Sequence, residues 1–158
     1  YNLNGLLVFS SWGERPCPSY LQLYRDGRME AVESELLSPH GDKKDLAIRF
    51  VALENQIIQS VIQYLRFYKT NGINPPVVIM LSFLNIKNAY ISPNIYFNRE
   101  AHPVTDQHLI FPDILVEDLD QPVDQILQPL FDMLWNACGY EKCLSYKDGK
   151  WNDLSKRQ

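Results

Sequence analysis

The feature that most constrains the fold is a run of apolar residues within positions 46–71. They recur every three or four residues, the spacing that places side chains on one face of an α-helix. Thr70 to Gly72 predict its end, and Pro75-Pro76 prevent its continuation. The predicted apolar face consists of Phe50, Leu53, Ile57, Ile58, Val61, Ile62, Leu65 and Tyr68. The side chains expected to face water are Glu54, Gln56, Gln59, Gln63 and Arg66. At about 1.5 Å per residue the helix would span nearly 40 Å, and its apolar face needs a sheet to cover it.

A second amphipathic helix is predicted over residues 122–138. Pro122 suits the first turn of a helix, and Asp120 is predicted to cap it. Pro129 predicts a kink or a restart, and Gly139 predicts the C-terminal cap. The apolar face of this helix consists of Val123, Ile126, Leu127, Leu130, Leu134 and Trp135.

A β-hairpin is predicted near the start of the chain. Residues 20–24 alternate in polarity, Asp26-Gly27 follow, and residues 28–37 resume an extended pattern. Asp-Gly between two such runs favours a type I′ turn, which needs positive φ at both central residues. Leu21 and Leu23 would then face the core.

Further strands are predicted on both sides of the long helix. Residues 77–84 form a continuous apolar run, which is typical of a central strand buried on both faces. Shorter strands are predicted over 5–10, 89–91, 95–97 and 108–116, with Pro112 placing the last on an edge or at a bulge. This order predicts an α+β two-layer sandwich, with a mixed or largely antiparallel sheet packed against both helices.

Length and composition predict one soluble domain over residues 1–152, with a frayed tail at 153–158. The chain has 158 residues and a net charge of −4, and its 15 basic residues are scattered. We therefore do not expect this domain to bind nucleic acid by itself. The sequence has no stretch of eighteen apolar residues, so it predicts no membrane-spanning helix. Three cysteines without a CxxC motif indicate reduced thiols, and residues 1–5 are expected to lie inside a longer protein.

The sequence carries no recognisable catalytic motif. It has no GxSxG, no GxxxxGK[ST] and no GxGxxG, and its acidic cluster at 113–124 lacks the lysine that a nuclease motif needs. We predict no catalytic residue, no metal site and no cofactor. One alternative is a divergent metal-dependent hydrolase or nuclease in segment 98–120, where His102, His108 and Asp113 would line a pocket. His40 is expected to be an ordinary loop residue.

The aromatic face of the hairpin is the candidate surface for a ligand or partner. Tyr20, Gln22 and Tyr24 would project from one face of the strand, with Arg25 and Arg28 at the turn. Aromatic rings beside arginine can stack on a base, as in nucleic-acid-binding sheets. A half-covered sheet face, or an interface with another domain, explains the same pattern.

Three stretches together show a family resemblance. They are YLQLYRDGRMEAV at 20–32, PPVVIMLSFLN at 75–85 and FDMLWNACG at 131–139. They resemble the C-terminal domain of bacterial proteins that begin with a Schlafen/AlbA-type DNA-binding module and are described as ATP-binding or transcriptional-regulator-like. The resemblance covers most of the chain and carries no established functional residues. It implies a cytoplasmic bacterial protein and an accessory, sensing or assembly role.

We therefore expect a non-catalytic accessory, regulatory or assembly domain of a DNA-binding, transcriptional-regulator-like protein. The expected partner is the N-terminal module of the same protein, and a homo-oligomer is a further option. The alternatives are direct nucleotide or nucleic-acid binding through the hairpin face and the divergent hydrolase described above.

Overall fold

The computed structural model describes residues 1–10, 17–39, 46–91 and 102–152. Over these residues two helices and a series of short strands are present, which confirms the predicted α+β class. The strands form several small, mostly antiparallel sheets. The chain divides into two compact units, Tyr1–Ser38 and Pro39–Gln158, and the expectation of one domain over 1–152 stays a prediction.

The first unit is built on an antiparallel sheet of β1 (Gly5–Phe9), β2 (Ser19–Tyr24) and β3 (Met29–Glu33). The predicted hairpin is confirmed, but its turn type is different. Tyr24 accepts a hydrogen bond from the amide of Gly27, and Gly27 has a φ of 89° while Asp26 does not have positive φ. A three-residue loop with one left-handed glycine explains this geometry, because only its last residue needs positive φ.

The buried residue of β2 is Gln22, and the prediction that Leu21 and Leu23 face a core is wrong. Both leucines are only half-buried, whereas Gln22 is 4% exposed. Its amide nitrogen donates to the carbonyls of Leu6 and Leu23, and its oxygen accepts from Asn2 at 2.6 Å. Because these bonds replace water, the polar side chain can be buried at low cost.

The second unit contains the long helix α1 (Phe50–Thr70), which begins four residues later than predicted. Strand β4 (Leu37–Pro39) spans the boundary between the two units. Strand β5 (Leu46–Ile48) precedes the helix and pairs in parallel with β8 (Tyr90–Ile91). Ala47 and Ile48 are buried in this pairing, so the apolar pattern there belongs to a strand. The end of the helix lies where the sequence predicted it.

The second predicted helix is confirmed as α2 (Val123–Ala137). It is one helix through Pro129, so the restart that was one of the two predictions for this proline does not occur. Its N-terminus has no side-chain cap, so the expectation that Asp120 caps it is wrong. The carboxylate of Asp120 instead binds the amine of Lys69 at 2.5 and 2.6 Å. The amine lies at the end of α1, so this exposed ion pair links α1 to the segment before α2.

Residues 77–84 and 108–116 form a bulged antiparallel ribbon. Its strands are β6 (Val77–Ile79), β7 (Ser82–Leu84), β9 (His108–Ile110) and β10 (Ile114–Val116). The β6–β10 and β7–β9 pairs differ in register by one residue, so the ladder breaks at 80–81 and 111–113. This break confirms the expected bulge at Pro112, which has no amide hydrogen to donate.

The ribbon is buried on one face only, so the prediction that 77–84 is buried on both faces is wrong. Phe83, Phe111 and Val116 are buried on the inner face, and the two phenylalanine rings meet edge to face at 5.8 Å. The alternate positions are exposed, as antiparallel strands permit. The exposed large apolar residues are Val78, Met80, Leu84, Ile110 and Leu115.

The chain described beyond α2 forms a small hairpin of β11 (Tyr146–Lys147) and β12 (Lys150–Trp151). Asp148 and Gly149, the two residues of its turn, have φ values of 52° and 73°. These values fit a type I′ turn, so the Asp-Gly geometry expected at residues 26–27 occurs here instead.

Several sequence-based expectations lie outside the described residues: His40, the strand at 95–97, the first part of segment 98–120 and the tail at 153–158. Among the described residues, no helix is both long enough and apolar enough to span a membrane.

Candidate functional site

The most unusual feature of the second unit is Glu54, a carboxylate buried inside the apolar face of α1. The sequence-based expectation that Glu54 faces water is wrong, because the residue is 0% exposed. It lies one helical turn after Phe50 and one turn before Ile58, and both of these neighbours are buried. A buried charge is costly unless hydrogen bonds replace its water.

Three donors satisfy this carboxylate. The indole nitrogen of Trp135 donates to Oε1 at 2.7 Å, and the indole nitrogen of Trp151 donates to Oε2 at 2.7 Å. The thiol of Cys143 donates to Oε1 at 3.3 Å. Indole N–H groups can only donate, so each needs an acceptor, and the two carboxyl oxygens of Glu54 supply them. We call Glu54, Trp135, Cys143 and Trp151 the glutamate cluster.

The surrounding side chains hold the glutamate cluster in place. The Trp135 ring packs edge-on against Phe50 and Tyr140, with both ring centroids 4.9 Å away. The amide of Cys143 donates to Asp132 at 2.7 Å, and the amide of Trp151 donates to Asp124 at 3.2 Å. Two carboxylates on α2 therefore fix the backbone that carries the cluster.

The two buried cysteines of this unit are poorly suited to act as nucleophiles. Burial raises the pKa of Cys138 to about 11. Burial, and then the negative charge of Glu54, raises the pKa of Cys143 above its usual range. Burial likewise raises the pKa of Tyr146, whose hydroxyl donates to the carbonyl of Asp124 at 2.5 Å. Because the thiolate is the nucleophilic form of cysteine, neither thiol is suited to attack a substrate at neutral pH.

The glutamate cluster therefore has the geometry of a structural junction. It joins α1 to α2 through Trp135 and to the C-terminal hairpin through Trp151. Both oxygens of Glu54 already accept a short hydrogen bond. A general base must reach a substrate proton within hydrogen-bonding distance, and Glu54 has no exposed surface from which to do so.

An open groove of about 590 Å³ lies beside the cluster, between α1 and the segment that leads into α2. Trp151 belongs to both, because its ring lines the groove and its indole nitrogen binds Glu54. The apolar lining also includes Ile58, Ile62, Leu65, Leu119, Pro122 and Val123. The charged lining consists of Arg66, Lys69, Asp120 and Asp124, so the charges at the rim balance.

The predicted hairpin surface of the first unit is only partly assembled. Tyr20 and Tyr24 both direct their hydroxyls to Glu30, at 2.6 and 3.4 Å. The guanidinium of Arg28 lies over the Tyr24 ring at 5.0 Å and pairs with Asp26 at 2.8 Å.

The remaining members of that predicted surface have other neighbours. Gln22 is buried, and the side chain of Arg25 donates to the carbonyl of Leu3 at 3.1 Å. The hydrogen bond to Glu30 raises the pKa of Tyr20. Sequence reasoning missed Glu30, although the register of the hairpin places it directly opposite Gln22.

The two described histidines have different neighbours. The ring of His102 packs against Gly139, where an added Cβ would lie 2.5 Å from a ring carbon. His108 is exposed and its Nδ1 accepts a hydrogen bond from the amide of Asn85 at 3.1 Å. Within the described ranges, no group of three or more His, Cys, Asp or Glu side chains could hold a metal ion.

The outer face of the ribbon is the other candidate surface. We use this name for Val78, Met80, Leu84, Ile110 and Leu115, which are all exposed. Val78 pairs directly with Leu115 across the strands. Met80 and Ile110 are the most exposed of the five, at 72% and 75%. Contiguous apolar surface of this kind marks interaction sites in soluble proteins.

No protein-family model matches this chain, and neither a curated protein nor a solved structure shows significant similarity to it.

Sequence reasoning missed both the glutamate cluster and the outer face of the ribbon. A signal for Glu54 existed, because its spacing from Phe50 and Ile58 places it inside the apolar stripe. Its partners lie 81 and 97 residues away, and no local pattern joins them to it. A continuous apolar run cannot show which of its residues face outward, so the outer face of the ribbon required the strand pairing.

Proposed function

We propose that this chain is a non-catalytic accessory domain that mediates protein association in a cytoplasmic, bacterial DNA-binding, transcriptional-regulator-like protein. The observation that carries this proposal is the outer face of the ribbon. A surface strand normally presents polar residues to water, whereas this face presents five large apolar side chains. Such a surface is best explained by a protein partner that covers it.

The glutamate cluster supports the same proposal. The buried carboxylate could have been a catalytic group, since perturbed and buried titratable groups often are. Here its oxygens are engaged by two tryptophans, and the adjacent thiol is protonated at neutral pH. The cluster therefore supplies rigidity to the unit that carries the outer face of the ribbon.

The charge distribution supports a division of labour between this domain and a DNA-binding module. The chain has a net charge of −4, and the outer face of the ribbon contains no lysine or arginine. Affinity for DNA comes largely from basic side chains at the phosphates, so we expect DNA binding by the whole protein to depend on another module. The family resemblance supplies that module as a Schlafen/AlbA-type domain.

Nucleotide binding by the hairpin remains the alternative prediction, and the structure offers it less support. Glu30 lies between the hydroxyls of Tyr20 and Tyr24, and a carboxylate there would repel a phosphate. The arginines at the turn are also engaged, Arg28 with Asp26 and Arg25 with Leu3.

The test combines sedimentation with calorimetric titration. The chain is titrated with the separately expressed DNA-binding module of the same protein, and its own mass is measured over a range of concentrations. We expect association in at least one of these measurements, and weaker association for Ile110→Glu than for Met133→Glu, an exposed site on α2. A chain that neither self-associates nor binds the module would refute the proposal.

A further inference from the structure

We infer that the outer face of the ribbon is the contact between two copies of this chain, packed face to face about a two-fold axis. This inference rests on the proposed association function and names the partner for it. It follows from the shape, size and charge of that face.

The five side chains lie along one face of the ribbon and form a strip that Ser82 interrupts, with Pro112 and Asp113 exposed at the break. Val78 and Leu115 are directly paired at one end, and Leu84 lies at the other, opposite His108. From Val78 to Leu84 the strand advances about 20 Å at about 3.3 Å per residue. A two-stranded strip of this length can lie on an identical strip, because sheets pack face to face at about 10 Å.

The centre of the strip is its most exposed part. Met80 lies at the break between β6 and β7, and Ile110 pairs with Ser82 at the start of β7. Both are more than 70% exposed, while Val78 and Leu115 toward the end are about half exposed. Binding energy concentrates in large central side chains that lose all their water, and Met80 and Ile110 have that position.

The size of the strip fits a modest dimer. At their exposed fractions, the five side chains offer on the order of 500 Å² of apolar surface per copy, which is about the size of the largest apolar patch on a typical monomer. Two such faces would bury on the order of 1,000 Å² in total, which reaches the lower bound for a specific interface. We therefore expect a reversible dimer with a dissociation constant in the micromolar range.

The charge of the strip favours a second copy over an anionic partner. A membrane surface or a nucleic acid would attract lysine and arginine, and the five residues of the strip include neither. Its polar neighbours are Ser82 and His108 in the strand pairing, and Asp113, which is exposed at the break opposite Met80. The five apolar side chains themselves bring no charge into a contact between two copies.

The first experiment measures sedimentation equilibrium of the chain from about 1 to about 500 µM, a range that brackets micromolar affinity. Ile110→Glu and Met80→Glu each place a carboxylate at the centre of the strip. We expect each to weaken the dimer at least about tenfold, whereas Met133→Glu leaves it unchanged. Urea unfolding of each variant establishes that the fold is retained.

A second experiment locates the contact. Ser82→Cys in a Cys17→Ser background puts one accessible thiol on the strip, and Gln59→Cys in the same background puts it on the exposed side of α1. A short bismaleimide should cross-link Ser82→Cys into dimers and leave Gln59→Cys monomeric. Dimers formed through Gln59→Cys alone would overturn the assignment of this face.

The outcomes separate this inference from the proposed function. A chain that stays monomeric at every concentration but binds the DNA-binding module overturns self-association and leaves the accessory function intact. A dimer that survives both glutamate substitutions overturns the assignment of the face. A monomer that also fails to bind the module overturns both proposals.

Discussion

Replacing Glu54 with glutamine is the sharpest test of the buried carboxylate. Glu54→Gln keeps the shape of the side chain and exchanges one oxygen for an amide nitrogen that can only donate. Whichever oxygen is replaced, that nitrogen then faces the indole N–H of Trp135 or Trp151, also a donor. The substitution therefore removes one hydrogen bond and sets two donors against each other.

The size of the stability loss follows from the hydrogen bonds that Glu54→Gln changes. A hydrogen bond to a charged group contributes about 1.5–3 kcal/mol, and a buried donor left unsatisfied costs about 1–3 kcal/mol. Because Trp151 is only half-buried, water can relieve part of the cost if its side of the carboxyl group is replaced. We expect Glu54→Gln to lower the free energy of unfolding by about 2–4 kcal/mol.

Urea unfolding, monitored by circular dichroism, measures this loss of stability. The matched control is Glu117→Gln, a substitution at an exposed site. The control should lie within about 0.5 kcal/mol of the unmodified chain. In a double-mutant cycle, the double variant Glu54→Gln/Trp135→Phe should lose less free energy of unfolding than the sum of the losses of the two single variants. A Glu54→Gln chain as stable as the control would refute the buried hydrogen-bonded carboxylate.

Three further predictions concern other described residues. An aromatic disulfide reagent should modify Cys17 alone in the native chain, since Cys138 and Cys143 are buried, and all three thiols in urea. Gly139→Ala should destabilise the chain by about 2–4 kcal/mol in urea unfolding, because φ is 83° and the new Cβ meets the imidazole ring against Gly139. Gly72→Ala, with φ of 70° and open space, should cost only about 1 kcal/mol. The unfolded thiol of Cys138 ionises near its ordinary pKa of 9.0 and the folded one at about 11, so stability should fall as pH rises between these values. Because the raised pKa values of Cys143 and Tyr146 contribute to the same loss, Cys138→Ala should reduce the slope of stability against pH without abolishing it. Urea unfolding at a series of pH values measures the slope, and an unchanged slope would contradict the prediction.

The helices were predictable because their information is local. The apolar repeat of α1 and α2 can be read within each segment, and the structure confirms both helices. Their ends depend on competition with neighbouring structure. Residues 46–48 pair with β8 instead of extending α1, and Asp120 binds Lys69 instead of capping α2. Both β8 and Lys69 lie far along the sequence from the residues that they contact.

The candidate surfaces were less predictable because they depend on long-range pairing. Gln22 alternates with leucines, as expected, but hydrogen bonds to Asn2 and to backbone carbonyls decide that it is the buried residue. The apolar run at 77–84 predicted a strand, whereas only its pairing with 108–116 shows that one face is open. The burial of Glu54 was unpredictable for the same reason. A charged residue within an apolar stripe is buried only if donors distant in sequence reach it.

The central structural claim is that the carboxylate of Glu54 binds the indole groups of Trp135 and Trp151 at the junction of α1, α2 and the C-terminal hairpin. Indole ¹H–¹⁵N spectra of the chain, which has three tryptophans, test this claim most directly. Substitution of each tryptophan by phenylalanine assigns the signals. We predict that the signals of Trp135 and Trp151 exchange slowly with solvent and that both shift in Glu54→Gln. Fast exchange of both signals, or no shift in either, would contradict the claim.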